Sequence, residues 1–562
     1  MKPSPSSPSR RRGLLAQVAV ATVVLTVGAT GAPARAAAAH GPIEGSGSSW
    51  SANAVNQWIA DVDSQGLQVV FTASGSAQGR KDFGFRNVDY AVTDIPFQGE
   101  DPISHEIDSA QGRPFAYLPI VAGGTSFPYQ IRVAGKLVQN LRLSGESLAK
   151  IFTNKITMWN DPQITHDNNG RVLPAIPIIP VVHSEGSGST AQFTSYLAKE
   201  FPTLWTPYNH NDDRLTEYYP RSGNQMVAQN GSDGVMNFVG SAAANGAIGY
   251  DEYSYALNKN YPVAKIENTA GYFTLPDQYN VAKSLTQAII DTNPASPTYL
   301  IQKLDNVYVY NDPRTYPLSS YSYMILPTGT NTQDPRLTTA KRQTLTDFLY
   351  YSICTGQREM GPIGYSPLPV NLVQAGFDQI QKLKIADPAV DITRRDVSTC
   401  NNPTFVAGHP DQNYLAQIAP LPLACDKAGA GPCLPGQRPP APGTGGTTGG
   451  NGNGGSNPGA TPTPGSTGTT TPGAINGTPG ATPSGGVVID PNTGQIIPPG
   501  NGGNGDTSGG NADGSQVAAN LAASNDNGLS GVLTPLVVIE LLAILVVPVL
   551  LHRGLTRRRD DW

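Results

Sequence analysis

Between residues 41 and 425 apolar positions recur with two alternating rhythms, one strand-like and one helix-like, which predicts an α/β protein. Leu67-Gln68-Val69-Val70-Phe71-Thr72 and Val88-Asp89-Tyr90-Ala91-Val92-Thr93 read as strands. Trp50, Ala54, Trp58 and Val62, with Val55 and Ile59 beside them, share one face of a helix. A second helix is expected from Ser189, with Phe193, Tyr196 and Leu197 as its apolar stripe and Gln192 at capping-box spacing. A third is expected over 341–351.

Outside this region the pattern changes. Arg10, Arg11 and Arg12 precede an apolar run over 13–31 and then Ala34-Arg35-Ala36, so 1–36 reads as a cleaved secretory signal. From 434 to 530 Gly, Pro, Thr, Asn and Ser dominate, a composition that buries too little apolar surface to offset chain entropy; a disordered linker is expected. About 95 such residues have a root-mean-square reach of roughly 50–60 Å. The stretch 531–551 is apolar except for Thr534 and Glu540, and Arg553, Arg557, Arg558 and Arg559 follow in the tail 552–562. That predicts a transmembrane helix with a cytoplasmic basic tail, in spite of a cost of about 2.5–3.5 kcal/mol for a charge such as Glu540. The binding domain would then be exported and held outside the cell membrane.

Formal net charge is −5, with no basic block in the globular part, so nothing marks a nucleic-acid partner. The four cysteines, Cys354, Cys400, Cys425 and Cys433, suit two disulfides in an oxidising compartment, with three connectivities open. Their spacing fits no metal motif. The seven histidines form no HExxH or H-x-x-x-H pair, so no catalytic residues, metal or cofactor are expected.

Three Gly/Ser segments stand at predicted helix starts: Gly45-Ser46-Gly47-Ser48-Ser49-Trp50, Ser74-Gly75-Ser76-Ala77-Gln78-Gly79 and Glu185-Gly186-Ser187-Gly188-Ser189-Thr190. The first amides of a helix have no internal acceptor and carry about half a positive charge between them. Glycine lets a ligand approach that backbone closely, and serine adds hydroxyl donors. Singly, each segment also serves as an ordinary loop and cap; three converging would cradle an oxyanion. Asp94, after the second strand, adds a discriminating group. A buried carboxylate accepts a hydrogen bond from the hydroxyl of HPO4(2−) and repels sulfate, which has no proton to donate.

These segments, with Lys155-Ile156-Thr157-Met158-Trp159-Asn160-Asp161-Pro162, Gly246-Ala247-Ile248-Gly249-Tyr250 and Gly364-Tyr365-Ser366-Pro367-Leu368-Pro369, resemble the periplasmic phosphate-binding protein of the phosphate ABC importer, the PstS family. The resemblance implies a type II periplasmic-binding-protein fold: lobe I over 41–111 and 293–425, lobe II over 112–292, and a ligand cleft between them. It implies inorganic phosphate or a related oxyanion as ligand, an ABC permease as membrane partner, and a monomer. Carried over by position, the phosphate contacts are Ser49, Trp50, Ser76, Asp94, Ser187, Gly188 and Ser189. The family's Arg-x-Asp-Gly-Ser-Gly-Thr run is here His183-Ser184-Glu185-Gly186-Ser187-Gly188-Ser189, so His183 stands in the arginine's place. Arg80 is a candidate for the missing guanidinium. The expected function is phosphate capture for import; a surface sensor or adhesion protein with a changed ligand is the alternative.

Overall fold

The computed structural model describes residues 39–434 except 101–104, 106, 223–224 and 394, together with 437 and the strands at 488–489 and 496–497. The expected signal segment 1–36, membrane span 531–551 and tail 552–562 lie outside the described residues. So does nearly all of the 434–530 linker, where Val488–Ile489 pairs antiparallel with Ile496–Ile497. Among the described residues no helix is long and apolar enough to cross a membrane.

A six-stranded sheet organises the first lobe. Its order is Asp251–Glu252, Phe115–Ser126, Ser319–Pro327, Tyr90–Thr93, Ile43–Gly47, Val69–Thr72. The last three strands are mutually parallel, and Ser319–Pro327 joins them antiparallel. The predicted strands at 67–72 and 88–93 are each two residues shorter at the start. In the second, the reason is Asp89. Its carboxylate accepts the Glu44 amide and pairs with Arg336 and Lys341, and those bonds anchor the turn that enters the strand.

Helix Ala52–Asp63 buries Ala54, Val55, Trp58 and Val62, the predicted face, and the Trp58 indole donates to Gly356 O at 3.0 Å. The helix expected over 341–351 spans Thr339–Ile353. The one expected from Ser189 starts at Gly188 instead, because Ser187 is its N-cap and accepts from the Thr190 amide. Gln192 does not close a capping box. Its amide donates to Asp94 O at 2.7 Å.

The second lobe carries a parallel sheet of Val227–Gln229, Ile179–His183 and Ala247–Gly249, and a mixed one in which Lys265–Glu267 pairs antiparallel with Phe273–Thr274 and parallel with Arg142–Leu143. Phe127, Phe152, Phe193, Tyr219 and Tyr250 pack ring against ring in its core. Boundaries at 112 and 292 do not fit this topology. Phe115–Ser126 pairs with Ser319–Pro327 from Phe115 to Gly124 and with Asp251–Glu252 at Thr125 and Ser126, so the chain leaves the first sheet only at Phe127. It returns before Gln278–Ser284, a helix packed on the first sheet. The cause is the near-continuous apolar run Phe115-Ala116-Tyr117-Leu118-Pro119-Ile120-Val121, which suits a strand buried on both faces.

The cysteines pair as Cys354–Cys400 and Cys425–Cys433. Cys354–Cys400 pins the chain to the end of the Thr339–Ile353 helix. From there residues 401–424 pass back to the second lobe, where Asp426 makes a buried ion pair with Lys265 and Arg142 donates to Cys425 O. A third connection between the lobes results. Loop-closure entropy predicts that replacing both Cys354 and Cys400 by Ser costs about 4 kcal/mol for a separation of 46 residues, against about 2.5 kcal/mol for Cys425 and Cys433 at 8. Denaturant midpoints of the two double variants check this; equal losses would show that native contacts outweigh loop length.

Candidate functional site

The three Gly/Ser segments meet between the lobes. Gly75 holds φ +94°, a conformation that favours glycine, and its amide donates to Gly47 O at 2.8 Å. The Ala77 amide, in the first turn of helix Ser76–Gly84, donates across the cleft to Gly186 O at 3.1 Å. A Cβ on Gly188 would fall 1.8 Å from Asp94 Oδ2 and 2.5 Å from Ser76 Oγ. No other residue fits there.

Asp94 is the centre of the arrangement and only 2% exposed. Ser48 Oγ donates to its Oδ2 at 2.6 Å and Ser76 Oγ at 3.1 Å. Its other oxygen, Oδ1, has no hydrogen-bond partner among the described residues. Burial pushes the Asp94 pKa above the usual carboxylate range, against the pull of the nearby Ser48, Ser322 and Ser76 hydroxyls, of which Ser322 is itself turned to Ser51 and Thr93 O. Ser189 Oγ, at the start of helix Gly188–Glu200, is likewise buried without a partner among the described residues. A buried acceptor and a buried hydroxyl left open beside two helix starts are what a protonated oxyanion needs.

Of the predicted contacts, the structure gathers Ser49, Ser76, Asp94, Ser187, Gly188 and Ser189 at this junction. Ser49 O accepts from Tyr255 at 2.6 Å, and Ser49 Oγ bonds the amide and hydroxyl of Ser232. Trp50 is buried edge-on to Tyr365, and its carbonyl accepts the Tyr365 hydroxyl at 2.7 Å. Arg80 lies next to the site through Thr93, but each of its guanidinium nitrogens is engaged. Nε meets Asp108, Nη1 meets Thr93 and Glu217, and Nη2 meets Glu217. Ser48, Gln192, Glu217, Ser232 and Tyr255 were missed from the sequence. Ser48 stands in the first Gly/Ser segment and Gln192 just after the third, so both were within reach of it; Glu217, Ser232 and Tyr255 come from distant parts of the chain and carry no local signal. Among the described residues no His/Cys/Asp/Glu group could hold a metal ion.

A sequence model described as the PBP superfamily domain matches residues 29–355. The chain belongs to that superfamily. The phosphate-binding protein PstS2 of Mycobacterium bovis is 30% identical over 337 residues, covering 58% of this chain and 83% of the relative. PstS of Pasteurella multocida is 28% identical over 333 residues, covering 59% and 88%. Within the superfamily, the chain is a member of the PstS family. A solved periplasmic phosphate-binding protein with phosphate bound aligns over 60% of this chain at 18% identity, with a TM-score of 0.46.

His183 marks this chain's departure from the family's usual run. It ends the Ile179–His183 strand with its side chain buried, and Nδ1 lies 2.8 Å from Glu185 Oε1. Glu185 Oε2 accepts the Gly231 amide at 3.0 Å. His183 Nε2 has no partner among the described residues. Burial opposes the charged imidazole, but the hydrogen bond and charge of Glu185 outweigh it and leave the His183 pKa raised from 6.5. Burial also pushes Asp251 up to about 7, with the charge of His183 opposing. A raised folded pKa means that the pair's stabilisation is complete below about pH 6.5 and lost as pH climbs through the folded value. Glu185→Gln should bring the His183 pKa down, which imidazole NMR titration reads directly; no change would show that Asp251 and Tyr250 hold the proton instead. Contact between Nε2 and a bound anion would raise the His183 pKa further, and an imidazole NMR titration that does not move on saturation with phosphate excludes it.

Proposed function

We propose that this chain captures inorganic phosphate outside the cytoplasm, between its two lobes, and delivers it to an ABC importer. One observation carries the reading: the buried Asp94 carboxylate has one oxygen loaded by two serines and the other open, beside the Gly188–Glu200 helix start. Ser49, the Trp50 backbone, Ser76, Ser187, Gly188 and Ser189 are the proposed donors to the phosphate oxygens. Asp94 would accept a hydrogen bond from the protonated phosphate oxygen. The named relatives, phosphate-binding proteins of Pasteurella and Mycobacterium, support both the ligand and a role in binding rather than catalysis. Direct bonds between the lobes, from Ala77 to Gly186, Gln192 to Asp94 and Tyr255 to Ser49, would enclose the ion and strip its water.

Export and anchoring form part of the proposal on sequence grounds: the basic, apolar, A-x-A start and the 531–551 apolar span followed by arginines. The alternative, a surface sensor with a changed ligand, draws on one feature. The two cationic candidates that could replace the family arginine, Arg80 and His183, are both paired with carboxylates of this chain.

Calorimetric titration of the full chain with phosphate, arsenate, sulfate and molybdate separates the two. Phosphate and arsenate should bind and sulfate should not; preference for molybdate or no binding at all would favour the sensor. Asp94→Asn should admit sulfate and weaken phosphate by one to two orders of magnitude, as expected for losing a charge-assisted bond. Unchanged rejection of sulfate by Asp94→Asn would place selectivity elsewhere.

A further inference from the structure

Arg80 and Glu217 form an ion pair that joins the two lobes at the edge of the anion site. Arg80 sits on the Ser76–Gly84 helix of the first lobe and is 1% exposed. Glu217 belongs to the second lobe and is 8% exposed. Its neighbour Thr216 is held by Thr194, and Tyr219 donates to Phe152 O. Both Glu217 oxygens accept from the guanidinium, Oε1 from Nη1 at 3.0 Å and Oε2 from Nη2. The geometry is the two-pronged fork that fits arginine and no other cation.

The pair touches the anion cradle on both sides. Arg80 Nη1 also donates to Thr93 Oγ1 at 3.0 Å, one residue before Asp94. The Glu217 carbonyl accepts the amide of Ser187 at 3.0 Å, the N-cap of the third helix start. Glu217 therefore fixes both the Ser187 end and the helix that presents Ser76. Separation of the lobes would carry Glu217 away and leave Arg80 with Asp108, which is a quarter exposed. The bidentate pair needs the two lobes together.

We propose that Glu217 is a positioning residue for phosphate binding: through Arg80 it latches the lobes together and sets how slowly the anion leaves. This deepens the phosphate-binding reading and rests on it. Arg80 then acts through Glu217 in the closed protein and stays paired with Asp108 when the cleft opens. Closure follows encounter, so the latch governs release rather than capture.

The test is stopped-flow and calorimetric binding of inorganic phosphate to the full chain, for wild type, Glu217→Gln and Arg80→Lys. Losing one partner of a buried pair should raise the dissociation rate of Glu217→Gln by about tenfold or more, with the association rate within about twofold. Arg80→Lys, which keeps the charge and loses the fork, should behave alike, and the double variant should be no worse than either single one. The melting temperature without phosphate should stay within about 2 °C of wild type, while the rise on adding phosphate shrinks. An unchanged dissociation rate, or additive effects in the double variant, overturns the latch. A melting temperature that falls equally with and without phosphate assigns the pair a structural role and overturns it too. Should Glu217→Gln fail to fold, the latch is equally refuted, because a contact that only latches the lobes is not required for folding. Failure of the unmodified chain to bind phosphate would instead overturn the phosphate reading.

Discussion

Asp94 is a carboxylate taken out of water at the meeting point of two lobes, and the rest of the site answers to it. Burial of an acid is costly unless hydrogen bonds offset it, and here Ser48 and Ser76 satisfy one oxygen while the other stays open. The open oxygen faces a requirement that only a ligand carrying a proton meets well. Around it lie helix starts whose amides favour negative charge. An acceptor amid donors is a poor site for a fully deprotonated anion and a good one for a partly protonated one. In the proposed reading, selectivity follows from that opposition.

The architecture serves the same constraint. Gly188 lacks a side chain because Asp94 occupies the space, and Gly75 turns in a conformation that favours glycine so that the second and third segments can touch. Bonds from the second lobe, made by Gln192, Tyr255 and Ser232, end on the backbone or hydroxyls of the site itself. Closing the lobes and completing the cradle are therefore one event. The passage of residues 401–424 between two disulfides adds a further tie between the lobes, beyond the region that matches the superfamily.

The charged groups nearby are arranged to cancel. Arg80 faces Glu217 and Asp108, and His183 faces Glu185 with Asp251 near it. With an arginine absent from the third segment, Arg80 is fully committed and His183 keeps only Nε2 open. In the proposed reading neutral donors carry the burden, in keeping with a net charge of −5.

Local features were legible in the sequence wherever a few consecutive residues decide the outcome. The Trp58 helix face, the strand ending before Asp94, and the Gly/Ser starts at Ser76 and Gly188 depend on periodicity, turn chemistry and the space a glycine leaves. Lobe boundaries were not legible, because the run from Phe115 is buried only when Ser319–Pro327 pairs beside it, two hundred residues away. The same holds for Glu217, Tyr255 and the disulfide pairing. The sequence by itself determined which segments can offer amides, hydroxyls and an acid. Only the tertiary structure decided that Asp94 keeps an open oxygen, that Arg80 is committed to Glu217, and that His183 is committed to Glu185. Those outcomes depend on which chains meet across the cleft, and pairing between distant charges leaves no trace in local spacing.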